Sequence, residues 1–269
     1  MIIQTLANGD PALAIMMHEH NALCQQLCHA FGNSEFEAMD PLDLVIYAIS
    51  HHDAGWLEFD RNPELDGRTG LPYNLGDTPP KHIVRTSVLS PDFNEKHHAF
   101  CGLLSSMHSW GLYNGRYGLS DLVLLDQILE DDRPTTEAML KGELERQERL
   151  KAELAKDPET AAWIEERKLL QCYKHLQFID TLALYFNRVH KYARKEQTFT
   201  NVPVSKDRDV SVTIKPVGAG TYAMSPFPFA TSGAEFAFAG HPITESVRAN
   251  PKQIGRSETD WEHFRLVEG

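Results

Sequence analysis

Between Pro11 and about Arg194 apolar residues recur at three- and four-residue steps, the pattern of amphipathic helices, and beyond that point the pattern turns strand-like. The spacing predicts a first helix from near Pro11 to Phe31, with a first-turn proline at its start and Gly32 as its stop. A second helix opens at Asp40-Pro41 and runs to Asp53. A loop rich in Gly, Pro and Asn follows, and Thr78-Pro79 opens a short helix carrying His82. Asn94 is placed as the cap of the next helix, which ends near Gly111. Leu119–Glu130 reads as a short amphipathic helix, Thr135–Lys156 as a charged, solvated one, and Glu159–Arg194 as one long helix. Phe199–Val202, Val210–Ile214 and Phe236–Phe238 are rich in strand formers and are punctuated by Pro216, Pro226, Pro228 and Pro242. The expected fold is therefore mostly α: a helical domain over 1–197, with a small antiparallel β-sheet region over 198–269 packed on the bundle.

Helical spacing also sorts the polar residues by the face they occupy. Leu13, Met16, Met17, His20, Leu23, Cys24, Leu27 and Phe31 form one stripe, in which His20 is the strongly polar member. Asp180 interrupts the stripe Leu169, Tyr173, Leu176, Ala183, Leu184, Asn187. A carboxylate on an apolar stripe carries a large desolvation cost unless it is paired or holds a cation, so a buried salt bridge to an arginine and a metal site are the two readings. His108 shares a face with Phe100, Cys101 and Leu104, and His97, three turns earlier, falls on nearly the same face. The adjacent pair His52-Asp53 ends the second helix and offers a nitrogen and carboxylate oxygens to one cation, or an oxygen to each of two.

Composition narrows the partners. A formal charge of −12 on 269 residues disfavours a nucleic-acid backbone or an anionic membrane as the main partner. No apolar run is long enough to span a bilayer, and the first residues lack the basic start and apolar stretch of a secretory signal. Cys24, Cys28, Cys101 and Cys172 lie within helical patterns and read as reduced, buried thiols of a cytoplasmic protein. Thirteen histidines exceed what such a chain needs for packing, which turns attention to metal.

The ordered set His20, His52-Asp53, His82, His108, Asp180 resembles the signature of the two-metal branch of the HD-domain superfamily. Glu19–Leu23, His52–Trp56, Ser106–His108 with Gly111–Gly118, Ile179–Leu184 and Ser225–Phe229 resemble, more closely, a bacterial group known as domain-of-unknown-function family 3891. The resemblance spans nearly the whole chain. It implies an HD-domain-like helical bundle holding two divalent ions, iron or manganese: one at His20, His52, Asp53 and Asp180, the other at Asp53, His82 and His108. Trp56 stands where many HD enzymes carry a lysine, which removes that lysine from any mechanism here.

Three functions suit such a site. The first is a dinuclear hydrolase acting on a small phosphorylated or nucleotide-like substrate, the usual activity of HD proteins, with the metal-bound water as the reacting group and no further catalytic side chain. Lys81, Arg85, Arg116 and His97 are its candidate substrate contacts. The second is a mixed-valent di-iron oxygenase cleaving a C–C or C–P bond with dioxygen, since nitrogen-rich ligand sets suit iron. The third is a non-catalytic, metal-bound ligand sensor. The partner is then a small molecule, and the C-terminal sheet is left to cover the site or to form a homodimer contact.

Overall fold

The computed structural model describes residues 1–269. In chain order, β1 (Ile2–Thr5) and β2 (Pro11–Ile15) precede α1 (Met17–Ala30), α2 (Leu42–Ser50), α3 (Leu57–Arg61), α4 (Pro80–His97) and α5 (Ala99–Tyr113). A short turn, α6 (Gly115–Gly118), leads to α7 (Arg133–Leu154), α8 (Pro158–Trp163) and α9 (Glu166–Arg188). Strands β3 (Gln197–Ser205), β4 (Arg208–Gly218), β5 (Thr221–Ser225) and β6 (Ala234–Pro242), then α10 (Glu245–Ala249) and β7 (Asp260–Glu268), complete the chain. No helix is long and apolar enough to cross a membrane.

The sheet corrects the expectation of a helical bundle with a small C-terminal antiparallel sheet. Seven strands form one curled mixed sheet in the order β1-β2-β6-β7-β5-β4-β3. Every neighbouring pair is antiparallel except β5 and β7, which run parallel. Two of its strands come from the N-terminus, where a helix was expected from Pro11. Pro11–Ile15 pairs with Ile2–Thr5 as a hairpin and docks on β6 through Leu13 and Ala14. Leu13 fits a helical stripe by spacing, but five residues are too few for periodicity to separate strand from helix, and tertiary pairing decides.

Other boundaries move for physical reasons. Thr78-Pro79 opens not a short helix but the 18-residue α4, which carries His82 and absorbs Pro91. Asn94 is buried inside α4, donating to the carbonyls of His51 and Ser90, and His98 caps α5 by accepting from the Phe100 amide. Leu119–Glu130 holds only the short 3₁₀ turn Leu124–Gln127. The long helix expected over Glu159–Arg194 breaks at Ile164 and Glu165, whose side chain caps α9.

The elements stack in layers. The sheet packs against α1 and α9, these against α2 and α5, and α5 in turn against α4 and α7. An aromatic seam of Phe186, Tyr222, Phe236 and Phe264 joins α9 to the sheet, with Phe186 and Phe264 stacked at 3.7 Å. Beneath it the buried Arg194 pairs with Glu262 and donates to Tyr222 Oη and the Phe186 carbonyl. The buried arginine near the sheet is thus neutralised by Glu262, and Asp180 turns the other way, into the gap between the α1/α9 and α2/α5 layers.

Candidate metal centre

Four elements deliver side chains into that gap. His20 comes from the middle of α1, His52 and Asp53 from the turn after α2, His108 from α5 and Asp180 from α9. The turn holds its place because Gly55 lets the chain press on α4. A Cβ there would lie 2.5 Å from the Thr86 carbonyl oxygen, and the Gly55 amide donates to Ser90 Oγ at 3.0 Å. His20 and His52 side chains are fully buried, Asp180 is 6 % exposed and Asp53 14 %.

Each imidazole is fixed from behind. His20 Nδ1 donates to Asn187 Oδ1 at 2.9 Å, and His52 Nδ1 donates to the Ile49 carbonyl, one of the open carbonyls at the end of α2, at 2.7 Å. Both rings therefore carry their proton on Nδ1 when neutral, and both present a bare Nε2 to the gap. His108 differs: its Nδ1 accepts from the Gln177 side-chain amide at 2.9 Å, so the neutral ring carries its proton on Nε2. Asn187, Asp180 and Gln177 lie seven and three residues apart along one face of α9, so this helix supplies one candidate ligand and two side chains that hold imidazoles.

The Nε2 atoms converge on carboxylates at distances too long for good hydrogen bonds. Asp180 Oδ1 is 3.4 Å from His20 Nε2 and 3.6 Å from His52 Nε2, and Asp53 Oδ2 is 3.4 Å from His52 Nε2. His52 Nε2 is buried and makes no hydrogen bond. Bonds of ~2.0–2.1 Å from one cation to N and O ligands place those ligands about 3.4 Å apart in a tetrahedron and about 3.0 Å apart in an octahedron. The observed spacing fits ligands sharing an ion better than it fits hydrogen-bonded partners. Two overlapping groups, His20/Cys24/His52 and His52/Asp53/His108, each bring their ligand atoms within 4.8 Å of one another.

Without a cation the same convergence must be held together by protons. Burial opposes charge on His52, but Asp53 and Asp180 outweigh it and raise its pKa to about 9. Burial likewise opposes charge on His20, and Cys24 and Asp180 raise it well above the ordinary value. Burial would lift Asp180, yet His20 and His52 hold it well below the usual carboxylate range. Asp53 is raised, burial prevailing over the two histidines. His108 is driven down to about 3 by burial and by its cationic neighbours His52 and Arg116.

The remaining candidates fall elsewhere. His82 faces Glu64, whose carboxylate lies 3.0 Å from Nε2, and packs edge-on against Phe59 at 4.9 Å. It lines a small cleft with Trp56, Tyr73 and Thr78 rather than the gap. His97 is exposed and stacks on Tyr47 at 3.5 Å, which stacks in turn on His51. Arg85 pairs with Glu58 at 2.7 Å, and Lys81 is exposed near the start of α4. Arg116 is half-buried in the α6 turn and close enough to bear on His108. Cys24 and Asn187 were read only as members of their helical stripes, Cys24 as a buried thiol, and Gln177 was not singled out. Cys24 Sγ lies 3.7 Å from His20 Nε2, and its position one turn after His20 on the same stripe is the signal that finds it.

A family model described as "Protein of unknown function (DUF3891)" matches residues 1–245. No curated protein and no solved structure matches the chain. The match covers the helical layers, the N-terminal hairpin and all but the last strand of the sheet, and on that coverage the chain belongs to the DUF3891 family.

Proposed function

We propose that the chain is a metal-dependent hydrolase of small phosphorylated or otherwise anionic substrates, with its ion held by His20, His52 and Asp180 and flanked by Asp53, His108 and Cys24. The observation that supports this reading best is the convergence of three side chains on one buried point with their lone pairs bare: two Nε2 atoms and Asp180 Oδ1, 3.4 and 3.6 Å apart, the imidazoles fixed by Asn187 and the Ile49 carbonyl. The order of these residues resembles the two-metal HD signature, and the likeness is one of motif. A second ion in the HD manner requires His82, which here sits with Glu64, so the geometry favours a single ion. That also weakens the di-iron oxygenase reading, which needs both. The four free, buried thiols support a cytoplasmic location.

A divalent cation at this point supplies Lewis acidity and lowers the pKa of a bound water towards neutrality. The chain's own residues do the rest. Asn187 and the Ile49 carbonyl keep the imidazoles in the ligating tautomer. Asp53, the most exposed carboxylate of the group, stands where a proton would be taken from water and passed outward.

The test is phosphate release from a panel of phosphomonoesters and nucleotides by chelator-stripped protein, reloaded in turn with Mn²⁺, Fe²⁺ and Zn²⁺. Turnover that needs added metal and is abolished by Asp180→Asn is expected. Oxygen consumption by anaerobically prepared iron protein, with no hydrolysis of any panel member, would sink the hydrolase reading in favour of the oxygenase.

A further inference from the structure

A separate cavity of about 220 Å³ opens between the α6 turn, α9 and β3. Its lining includes Arg116, Lys174, Gln177, Thr181, Thr200 and Asn201, and it is predominantly polar. Lys174 is already committed to Asp209. Arg116 is not committed: no carboxylate lies within ion-pairing distance of its guanidinium, in a protein with an excess of twelve negative charges. Gln177 is 7 % exposed, and while its Nε2 is used by His108, its Oε1 is buried with no partner. Gln177 Oε1 is closed off from the cavity, and it is the half-buried, unpaired Arg116 on the wall that an anion would complete.

The backbone points to the same place. Only three non-glycine residues in the chain have left-handed φ: Arg116 (51°), Tyr117 (58°) and Asn201 (58°). Arg116 and Asn201 both line this cavity, Tyr117 is the next residue in the turn, and Asn201 Nδ2 donates across to the Leu119 carbonyl. An arginine in that conformation costs stability that glycine would not, and such residues persist where the side chain is needed.

We propose that this cavity binds a small hydroxyl-bearing oxyanion, a phosphate monoester or a carboxylate, with Arg116 on the anion and the polar side chains of the wall on the ligand's hydroxyls. The volume lies below the ~300–1,000 Å³ of pockets for drug-sized ligands and suits a compact metabolite. The amide and hydroxyl groups on the wall supply donors and acceptors for hydroxyls, and apolar Phe178 and Phe199 close one side. Through Gln177 the occupant would lie one side chain from His108. The site goes beyond the hydrolase reading and does not depend on metal.

Calorimetry with chelator-stripped wild-type protein tests it, using glycerol 3-phosphate and glycerate as the two oxyanion forms and glycerol as the neutral control. Binding of one oxyanion, with none of glycerol, is expected, and which one binds identifies the anion. Arg116→Gly should weaken that binding tenfold or more while the melting temperature stays level or rises, because glycine relieves the left-handed backbone. A merely structural arginine would give the opposite pattern, a lower melting temperature with binding unchanged. Asn201→Gly, which relieves its own backbone, should weaken binding several-fold and serves if the arginine variant fails to fold. If neither oxyanion binds at millimolar concentration, or Arg116→Gly binds as wild type does, the proposal is overturned. Repeating the titration with Mn²⁺ present keeps the two readings apart: oxyanion binding without any metal uptake leaves this site standing and removes the hydrolase.

Discussion

Asp180 Oδ1 has two imidazole nitrogens at 3.4 and 3.6 Å and no arginine, and the residues around it decide how that charge is tolerated. The sequence left open a buried salt bridge or a cation, and the structure spends its one deeply buried arginine, Arg194, on Glu262. His20, His52-Asp53, His108 and Asp180 were legible because a polar group on an apolar helical stripe has few ways to be satisfied. Gln177 and Asn187 were not, because an amide on a helix carries no such penalty until its partner is known. The role of Asn187 gives a direct expectation. Replacing Asn187 with leucine should leave His20 in place but unfix its ring, weakening metal binding by roughly 10–100-fold. Calorimetric titration of the stripped variant with Zn²⁺ reads this, and affinity equal to wild type would remove the supporting role. His82→Ala should keep metal affinity within a few-fold of wild type, since His82 contacts Glu64 and Phe59 instead. A large loss would restore it as a ligand.

The elements that carry the site were read well where periodicity ran long and poorly where it ran short. Helices α1, α2, α5 and α9 lie where the stripes placed them, give or take their ends. The N-terminal hairpin was missed because Pro11–Ile15 is too short to show its period and because its partner, β6, lies more than 200 residues away. The extent of the sheet follows from that pairing and from the parallel contact of β5 with β7, neither of which leaves a local trace. Gly55 illustrates how one element positions another. Adding a methyl group at a site 2.5 Å from a backbone oxygen forces the turn off α4 and should cost about 1–3 kcal/mol. Gly55→Ala should therefore lower the urea midpoint and, by shifting Asp53, weaken metal binding. An unchanged midpoint would show that the turn does not press on α4 as described.

For the whole molecule, the buried histidines make stability depend on pH in a definite sense. His108 and His175, the latter a buried α9 residue packed edge-on against Phe31, are held to about 3 by burial, below the unfolded value of about 6.5, so they stay neutral in the folded state. Between those values the unfolded chain binds more protons, and stability falls as pH drops from 6.5 towards 3. His52 is raised to about 9, so the folded state holds the extra proton, and its contribution, complete below about 6.5, is lost as pH rises through 9. The metal-free protein should accordingly be most stable near neutral pH, with the melting temperature falling on both sides. A bound cation replaces the protons on His20 and His52, so saturating metal should abolish the decline above pH 7. Melting curves from pH 5 to 9, with chelator and with Zn²⁺, check this, and an alkaline decline that metal leaves untouched would count against a shared site.

The most direct test of the metal centre is elemental analysis of the purified protein together with titration of the stripped form, carried out on wild type, His20→Ala and Asp180→Asn. One equivalent of a transition metal in wild type, with affinity reduced at least a hundredfold in both variants while circular dichroism shows them folded, is the predicted result. Metal-free wild type that takes up no ion, or variants that bind as tightly as wild type, would contradict the account.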